Sequence, residues 1–166
     1  MEENLKESLL AICSSLSKHK VDYLIVGGIA VALHGFFRIS RNQSGQIMDK
    51  PDIDIWFDPT YSNYFNVLKV MKELGQDITE IEKEKTPHPR ESFFKIEFES
   101  FYLDFLPEIK SKIKFSDAHQ RKERILFEEI PIDLIHYSDL IFDKETSARK
   151  KDLEDIEQLR KLKGDK

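Results

Sequence analysis

The chain predicts an α/β (α+β) domain in which a mixed β-sheet carries flanking helices. Two observations lead there. Apolar spacing alternates between helical and strand periods, in the order α, β, α, β, α, then mostly β, then α. Hydrophobic residues make up 40% of the 166-residue chain, with 12 Phe among them, enough for one ordinary core and therefore one expected domain, 1–166.

Leu5, Leu9, Ile12, Cys13 and Leu16 recur at helical spacing, so residues 3–18 read as an amphipathic helix. "DYLIV", 22–26, is a short strand that stops at Gly27-Gly28, and "IAVALHGF" then looks helical, with Gly35 as its C-terminal stop. "RISRNQSGQIMDK", 38–50, is polar and holds the turn signal Ser44-Gly45, so it reads as a loop or small hairpin. "DIDIWF" is the second strong strand. Residues 61–74 put Tyr61, Tyr64, Phe65, Leu68, Met71 and Leu74 on one helical face closed by Gly75, and "EKEKTPHPR" is an exposed loop. "SFFKIEFESFYLDFLPE" holds two strand-like runs around Glu99-Ser100, and "ERILFEEIPIDLIHY" a second strand pair. The end is helical from about 138 to 163, with Ser138 as a candidate cap and Leu153, Ile156, Leu159 and Leu162 as the buried side of the last helix.

The net charge of -5 speaks against a generally basic, nucleic-acid-coating protein, and no extended nucleic-acid surface is expected. The single cysteine, Cys13, has no internal disulfide partner, which fits a reducing compartment. The N-terminal stretch lacks the basic and apolar regions of a signal peptide, and no run approaches the length of a membrane span, so the expected location is cytoplasmic with no membrane contact. The five histidines have no ligand spacing with one another or with Cys13, which makes a zinc centre an unfavoured reading. His34 reads as a packed or capping residue, and Phe36, Phe37 and Trp56 as core or rim.

Three elements carry chemistry. In "PDIDIWFDP", Asp52 and Asp54 stand at i and i+2 and so share one face of an apolar strand. Close like charges repel, and each resists ionisation unless a cation compensates. Mg²⁺ is a hard cation that binds through one or two carboxylates plus substrate phosphates; the bland alternative is a strand rim with solvated aspartates. Gly27 and Gly28 lie between a strand and a helix, where backbone can approach a phosphate closely, or where the chain simply turns tightly. Neither a Rossmann fingerprint nor a Walker P-loop is present. In "FYLDFLP", Asp104 sits among apolar neighbours, either bound to a cation or facing water at a strand end.

A Gly-Gly opening a helix after an apolar strand, Asp-x-Asp on the next strand and a single later acid resembles the DNA-polymerase-β-like nucleotidyltransferase superfamily. "VGGIAVALHGFFR", "DIDIW" and "DLIFDKETSARKKDLEDIEQL" are more closely similar to small stand-alone bacterial nucleotidyltransferase-like proteins, some of them from toxin–antitoxin and abortive-infection systems. The resemblance runs from about Tyr23 to Leu159. It implies a nucleotidyltransferase fold, with Gly27 and Gly28 as the nucleotide-phosphate turn. Asp52 and Asp54 become the metal pair for Mg²⁺ or Mn²⁺, and Asp104 the third acid, which helps activate the attacking hydroxyl. Lys144, Arg149 and Lys151 match the family's C-terminal helices, as phosphate contacts or as helix-packing charges. The implied reaction moves a nucleoside monophosphate from an NTP to a hydroxyl acceptor on RNA, protein or a small molecule. The alternative is a non-catalytic module that binds a cognate toxin or antitoxin; a Mg²⁺-dependent nuclease is a third reading that leaves the Gly-Gly start unexplained.

One departure stands out. Relatives pass from "HGxxR" to the Asp-x-Asp strand within a few residues, whereas 13 residues, 39–51, intervene here. They bring Arg41, Gln46, Asp49 and Lys50 and are expected to be exposed beside the acids, gating the site or reading a partner.

Overall fold

The computed structural model describes residues 3–35 and 50–164. Helix α1 (Glu3–Lys18) buries Leu5, Leu9, Ile12, Cys13 and Leu16, as its spacing requires. Strand β1 (Tyr23–Val26) is buried along its whole length, and α2 (Gly27–Leu33) follows without an intervening loop. Strand β2 (Asp52–Phe57) leads to α3 (Tyr61–Glu73), and a single short turn, α4 (Thr79–Glu82), precedes the hairpin of β3 (Phe94–Glu97) and β4 (Tyr102–Leu106). After α5 (Phe115–Gln120) comes a second hairpin, β5 (Glu123–Phe127) and β6 (Ile130–Leu134), and then the helices α6 (Tyr137–Ser147) and α7 (Lys150–Lys163).

The six strands form one mixed sheet in the order β3-β4-β2-β1-β6-β5. The centre joins β1 to β2 antiparallel, β2 to β4 parallel and β1 to β6 parallel, while the two hairpins supply both edges. Trp56, Phe57 and Phe105 are among the largest fully buried side chains, with Leu9, Ile12 and Leu16 of α1 in the same core. Buried Asn63 ties α3 to the sheet: its amide oxygen accepts from Asp22 N–H at 2.8 Å, and its NH₂ donates to the carbonyls of Asp22 and Asp58, both at 2.9 Å. His34 packs as expected, bonded to the Ile135 carbonyl at 2.8 Å. None of the described helices is long and apolar enough to cross a membrane.

Four local expectations need correction. The buried face of α3 is rotated from the one expected: Tyr61 and Phe65 are exposed, while Val67 and Val70 join Tyr64, Leu68 and Met71 inside. His136, not Ser138, caps α6, its ring nitrogen accepting from Ser138 N–H at 3.1 Å. On α7 only Ile156 and Leu159 of the four expected apolar residues are buried; Leu153 and Leu162 are exposed, and Asp152 and Asp155 take their places. Short α5 and α4 had not been anticipated. The polar loop 38–50 and the insert 39–51, with Phe36 and Phe37 before them, lie outside the described residues except for Lys50 and Pro51.

Candidate active site

The parallel register of β2 and β4 sets Asp54 opposite Asp104, and Asp52 opposite Tyr102. Residues directly opposed in a sheet share a face, as do residues two apart on one strand. Asp52, Asp54 and Asp104 therefore stand together on one side of the sheet. The antiparallel register of β3 adds Lys95, opposite Asp104. Its ammonium lies 3.5 Å from Asp104 Oδ2 and 3.9 Å from Asp52 Oδ1.

Exposure falls across the three acids. Asp52 is exposed, Asp54 half-buried and Asp104 buried. Burial, then the charge of Asp104, then that of Asp52 push the Asp54 carboxyl up to about 7, with Lys95 pulling weakly the other way. Asp104 Oδ1 is buried with no hydrogen bond to a fixed donor among the described residues; the Asp54 carboxyl itself can share a proton with the Asp104 carboxyl, and that hydrogen bond helps to raise it. An unpaired buried carboxylate oxygen is unfavourable in a finished core. Next to an acid held near neutral by its neighbours, it marks a cluster short of positive charge.

Gly27 connects this cluster to the strand-to-helix turn. Val26 opposes Asp54 across β1 and β2, and the next residue, Gly27, has φ +68. A Cβ there would overlap Asp54 Oδ2 and lie 3.2 Å from Asp54 Cγ, so only glycine lets the backbone pass the carboxylate. At Gly28 a Cβ would meet nothing within 4 Å.

A cavity of about 550 Å³ opens at Gly27 and Asp54. Arg90, Phe93, Lys110, Lys112 and Arg149 are in its wall, together with Glu108, which pairs with Lys112 at 2.7 Å, and Asp143, which accepts from the Ser111 N–H at 2.8 Å. The predicted cationic residues are distributed unevenly around it. Arg149 lines the cavity with a half-exposed side chain, donates to Asp152 through Nε at 2.8 Å, and lies close enough to Asp54 to feel its charge. Lys144 also touches the cavity, but it is buried between Asp152 (3.2 Å) and Asp155 (3.0 Å), which is the helix-packing arrangement. Lys151 is exposed on α7, and neither it nor Gly28 is among the cavity-lining residues.

Sequence reasoning missed Lys95, Arg90, Phe93, Lys110 and Lys112. Lys95 alternates with apolar residues like any solvated strand position, and only the β3–β4 register brings it to the acids. Lys110 and Lys112 read as a charge run in a loop.

The acids offer a divalent cation an open, all-oxygen site rather than a closed cage. Among the described residues no group of three or more Asp, Glu, His or Cys side chains closes around one ion. A closed cage is not what Mg²⁺ uses at phosphate-transfer sites, where one or two carboxylates share it with substrate oxygens and water. The paired register of Asp54 and Asp104, the unpartnered Asp104 Oδ1 and the all-oxygen donor set fit that mode.

No family model and no curated protein matches the chain. Solved structures do. The antibiotic-resistance factor ANT(2'')-Ia superposes with a TM-score of 0.61 at 16% identity, over 98% of this chain and 85% of that one. The lincosamide antibiotic adenylyltransferase LnuA, in its lincomycin-bound form, gives 0.58 at 19% identity over 96% of each chain. A second structure of ANT(2'')-Ia, in complex with adenylyl-2''-tobramycin, gives 0.57 at 15% identity over 96% of this chain and 89% of that one. The chain has the nucleotidyltransferase fold over nearly its full length.

Proposed function

We propose that the chain is a metal-dependent nucleotidyltransferase that moves a nucleoside monophosphate from an NTP to a hydroxyl acceptor. The observation that carries this reading is the register of Asp54 with Asp104, beside Asp52, with Asp54 alone of the three lining the cavity at Gly27. Asp54 and Asp104, with Asp52 beside them, would hold Mg²⁺ or Mn²⁺ in that open mode, which supplies charge neutralisation for the phosphoryl oxygens when bound. The backbone at Gly27 would approach the triphosphate in the cavity, with Gly28 beside it, and Arg149 and Lys110 offer positive charge in the cavity wall. Asp104 takes the proton of the acceptor hydroxyl. The acceptor oxygen then bonds to the α-phosphorus, the bond to the β-phosphate oxygen breaks, and pyrophosphate leaves.

The fold neighbours support a finer version. One is a lincosamide antibiotic adenylyltransferase and another was captured with adenylyl-2''-tobramycin. ATP as donor and a small polyhydroxylated molecule as acceptor are the favoured pair, and a 550 Å³ cavity suits a small ligand. Calorimetric titration with the four NTPs, with and without Mn²⁺, tests the donor half. Labelled NTPs incubated with small-molecule and macromolecular fractions of a cell extract test the acceptor half. Selective, metal-dependent NTP binding with label transfer is expected, and failure of both ends the enzyme reading.

One observation favours a second reading. Lys95 already places a positive charge between Asp52 and Asp104, as in a site that has no use for a metal. A non-catalytic module that pairs with a cognate protein, in the manner of toxin–antitoxin systems, would then bind no NTP with or without metal.

A further inference from the structure

Lys95 is a cation in direct contact with the acidic cluster, and its surroundings give it two places to rest. Its ammonium touches Asp104 Oδ2 at 3.5 Å and Asp52 Oδ1 at 3.9 Å. The same ammonium lies 4.6 Å from the centre of the ring of Tyr102, two residues before Asp104 on β4. The side chain is about half exposed (49%), so it can withdraw from the carboxylates without leaving the ring or unpacking the sheet. Lys50, the other cation over Tyr102, is held by Glu97 at 2.8 Å and by the Phe98 carbonyl at 2.9 Å, so it is not a substitute.

We propose that Lys95 is a built-in competitor for the catalytic cation: it neutralises Asp52 and Asp104 while no divalent ion is bound, and it yields those oxygens when the ion arrives. This rests on the transfer reading above and names a regulation of that same site. The device has two consequences. The metal-free protein is spared the close carboxylates of Asp104 and Asp52 facing each other with no ammonium between them. Metal affinity in the absence of nucleotide is lowered, so that the ion enters with the triphosphate, whose oxygens outbid the ammonium. A single positive charge a few ångströms from a dication is repulsive, and at the surface this repulsion is reduced but not abolished by solvent and salt.

The test uses Lys95→Met, which keeps the length and the ring contact but removes the charge, with Lys95→Arg as the charged control. Mn²⁺ is titrated calorimetrically into the nucleotide-free proteins at low salt. Lys95→Met should bind Mn²⁺ about tenfold more tightly than wild type, with Lys95→Arg no tighter than wild type. Equal or weaker Mn²⁺ binding by Lys95→Met overturns the proposal. Thermal unfolding in EDTA gives a second readout. Lys95→Met should unfold at lower temperature than wild type, and saturating Mn²⁺ should close the gap. A deficit that persists at saturating Mn²⁺ makes Lys95 a structural charge and also overturns it. If wild type binds Mn²⁺ with NTP and transfers label while Lys95→Met shows no gain, the inference fails and the transfer reading stands. If neither protein binds Mn²⁺ and wild type transfers nothing, both fall.

Discussion

Gly27 and Asp54 occupy adjoining space: the carboxylate lies where a Cβ on residue 27 would have to be. The backbone there is also left-handed, at φ +68. Gly27→Ala therefore meets two penalties, about 1–2 kcal/mol for the backbone and about 1–3 kcal/mol for overpacking. Urea denaturation should show a loss of that size, with Asp54 displaced. Gly28→Ala is a contrasting substitution, because its Cβ meets nothing within 4 Å and alanine favours a helix. Its stability should be unchanged or slightly raised, while affinity for Mn²⁺-NTP drops about tenfold if phosphate approaches that backbone. Full NTP affinity in Gly28→Ala removes the phosphate-turn role.

Asp54 makes the metal-free protein pH-sensitive in a definite direction. Its carboxyl titrates at about 7 in the fold against an ordinary 3.8, for burial and for the charges of Asp104 and Asp52. The folded state thus keeps a proton that the unfolded chain releases. The associated stability is fully present below about pH 4 and is lost as pH rises through 7. The full interval corresponds to at most about 4 kcal/mol. Asp54→Asn should accordingly be more stable than wild type in EDTA at pH 8, with the difference vanishing near pH 4. Divalent-ion affinity in wild type should climb between pH 6 and 8, since binding displaces that proton. An Asp54→Asn protein that unfolds, or that binds Mn²⁺ and NTP normally, would assign the residue a structural role.

What could be read in the sequence was local. "DIDIWF" announced a strand with two carboxylates on one face because strand period is fixed by geometry. Glycine after an apolar strand announced a backbone constraint, which turned out to be steric contact with Asp54. What could not be read depended on partners far away in the chain. Lys95 joins the acids only through pairing between two hairpin strands. Leu153 and Leu162 fit the helical pattern of α7 yet stay outside, because Lys144 of α6 draws Asp152 and Asp155 into the seam instead. The face of α3 is likewise set by where Asn63 anchors it to Asp22 and Asp58 rather than by its aromatics.

That seam separates packing charges from ligand-binding ones. Lys144 is 7% exposed, with Asp152 and Asp155 at 1% and 0%. Lys144→Met should lower stability by about 3 kcal/mol, because it removes the buried cation shared by Asp152 and Asp155, while Arg149 still pairs with Asp152. Burial pushes Asp152 up, but Arg149 and Lys144 bring it down to about 2. Its contribution is present above about pH 4 and is lost as pH falls toward 2, so acid unfolding should begin earlier in Lys144→Met. Lys151→Ala, exposed and away from the cavity, should change neither stability nor NTP affinity. Denaturant and acid titrations read the first two effects and calorimetry the third. A stable Lys144→Met that has lost NTP binding would return Lys144 to the phosphate-binding set.

Asp104 distinguishes a catalyst from a binder. It is buried, aligned with Asp54, and carries an oxygen without a fixed donor among the described residues, the position a proton acceptor needs beside an incoming hydroxyl. Asp104→Asn keeps the size of the side chain and its capacity for one hydrogen bond to Lys95, and removes the charge and the basicity. The first property governs binding and the second governs transfer, so the two measurements should part. NTP affinity should fall only a few-fold, because Asp52, Asp54 and the Gly27 turn remain. Transfer should fall at least about a hundredfold, the usual scale for losing a general base, and more if the cation is also misplaced. Pyrophosphate release from ATP with a panel of small polyhydroxylated acceptors measures the rate, and calorimetry measures the affinity. A rate that falls only in step with affinity would make Asp104 a ligand or a packing residue. Absence of both NTP binding and transfer in wild type would favour the partner-binding module.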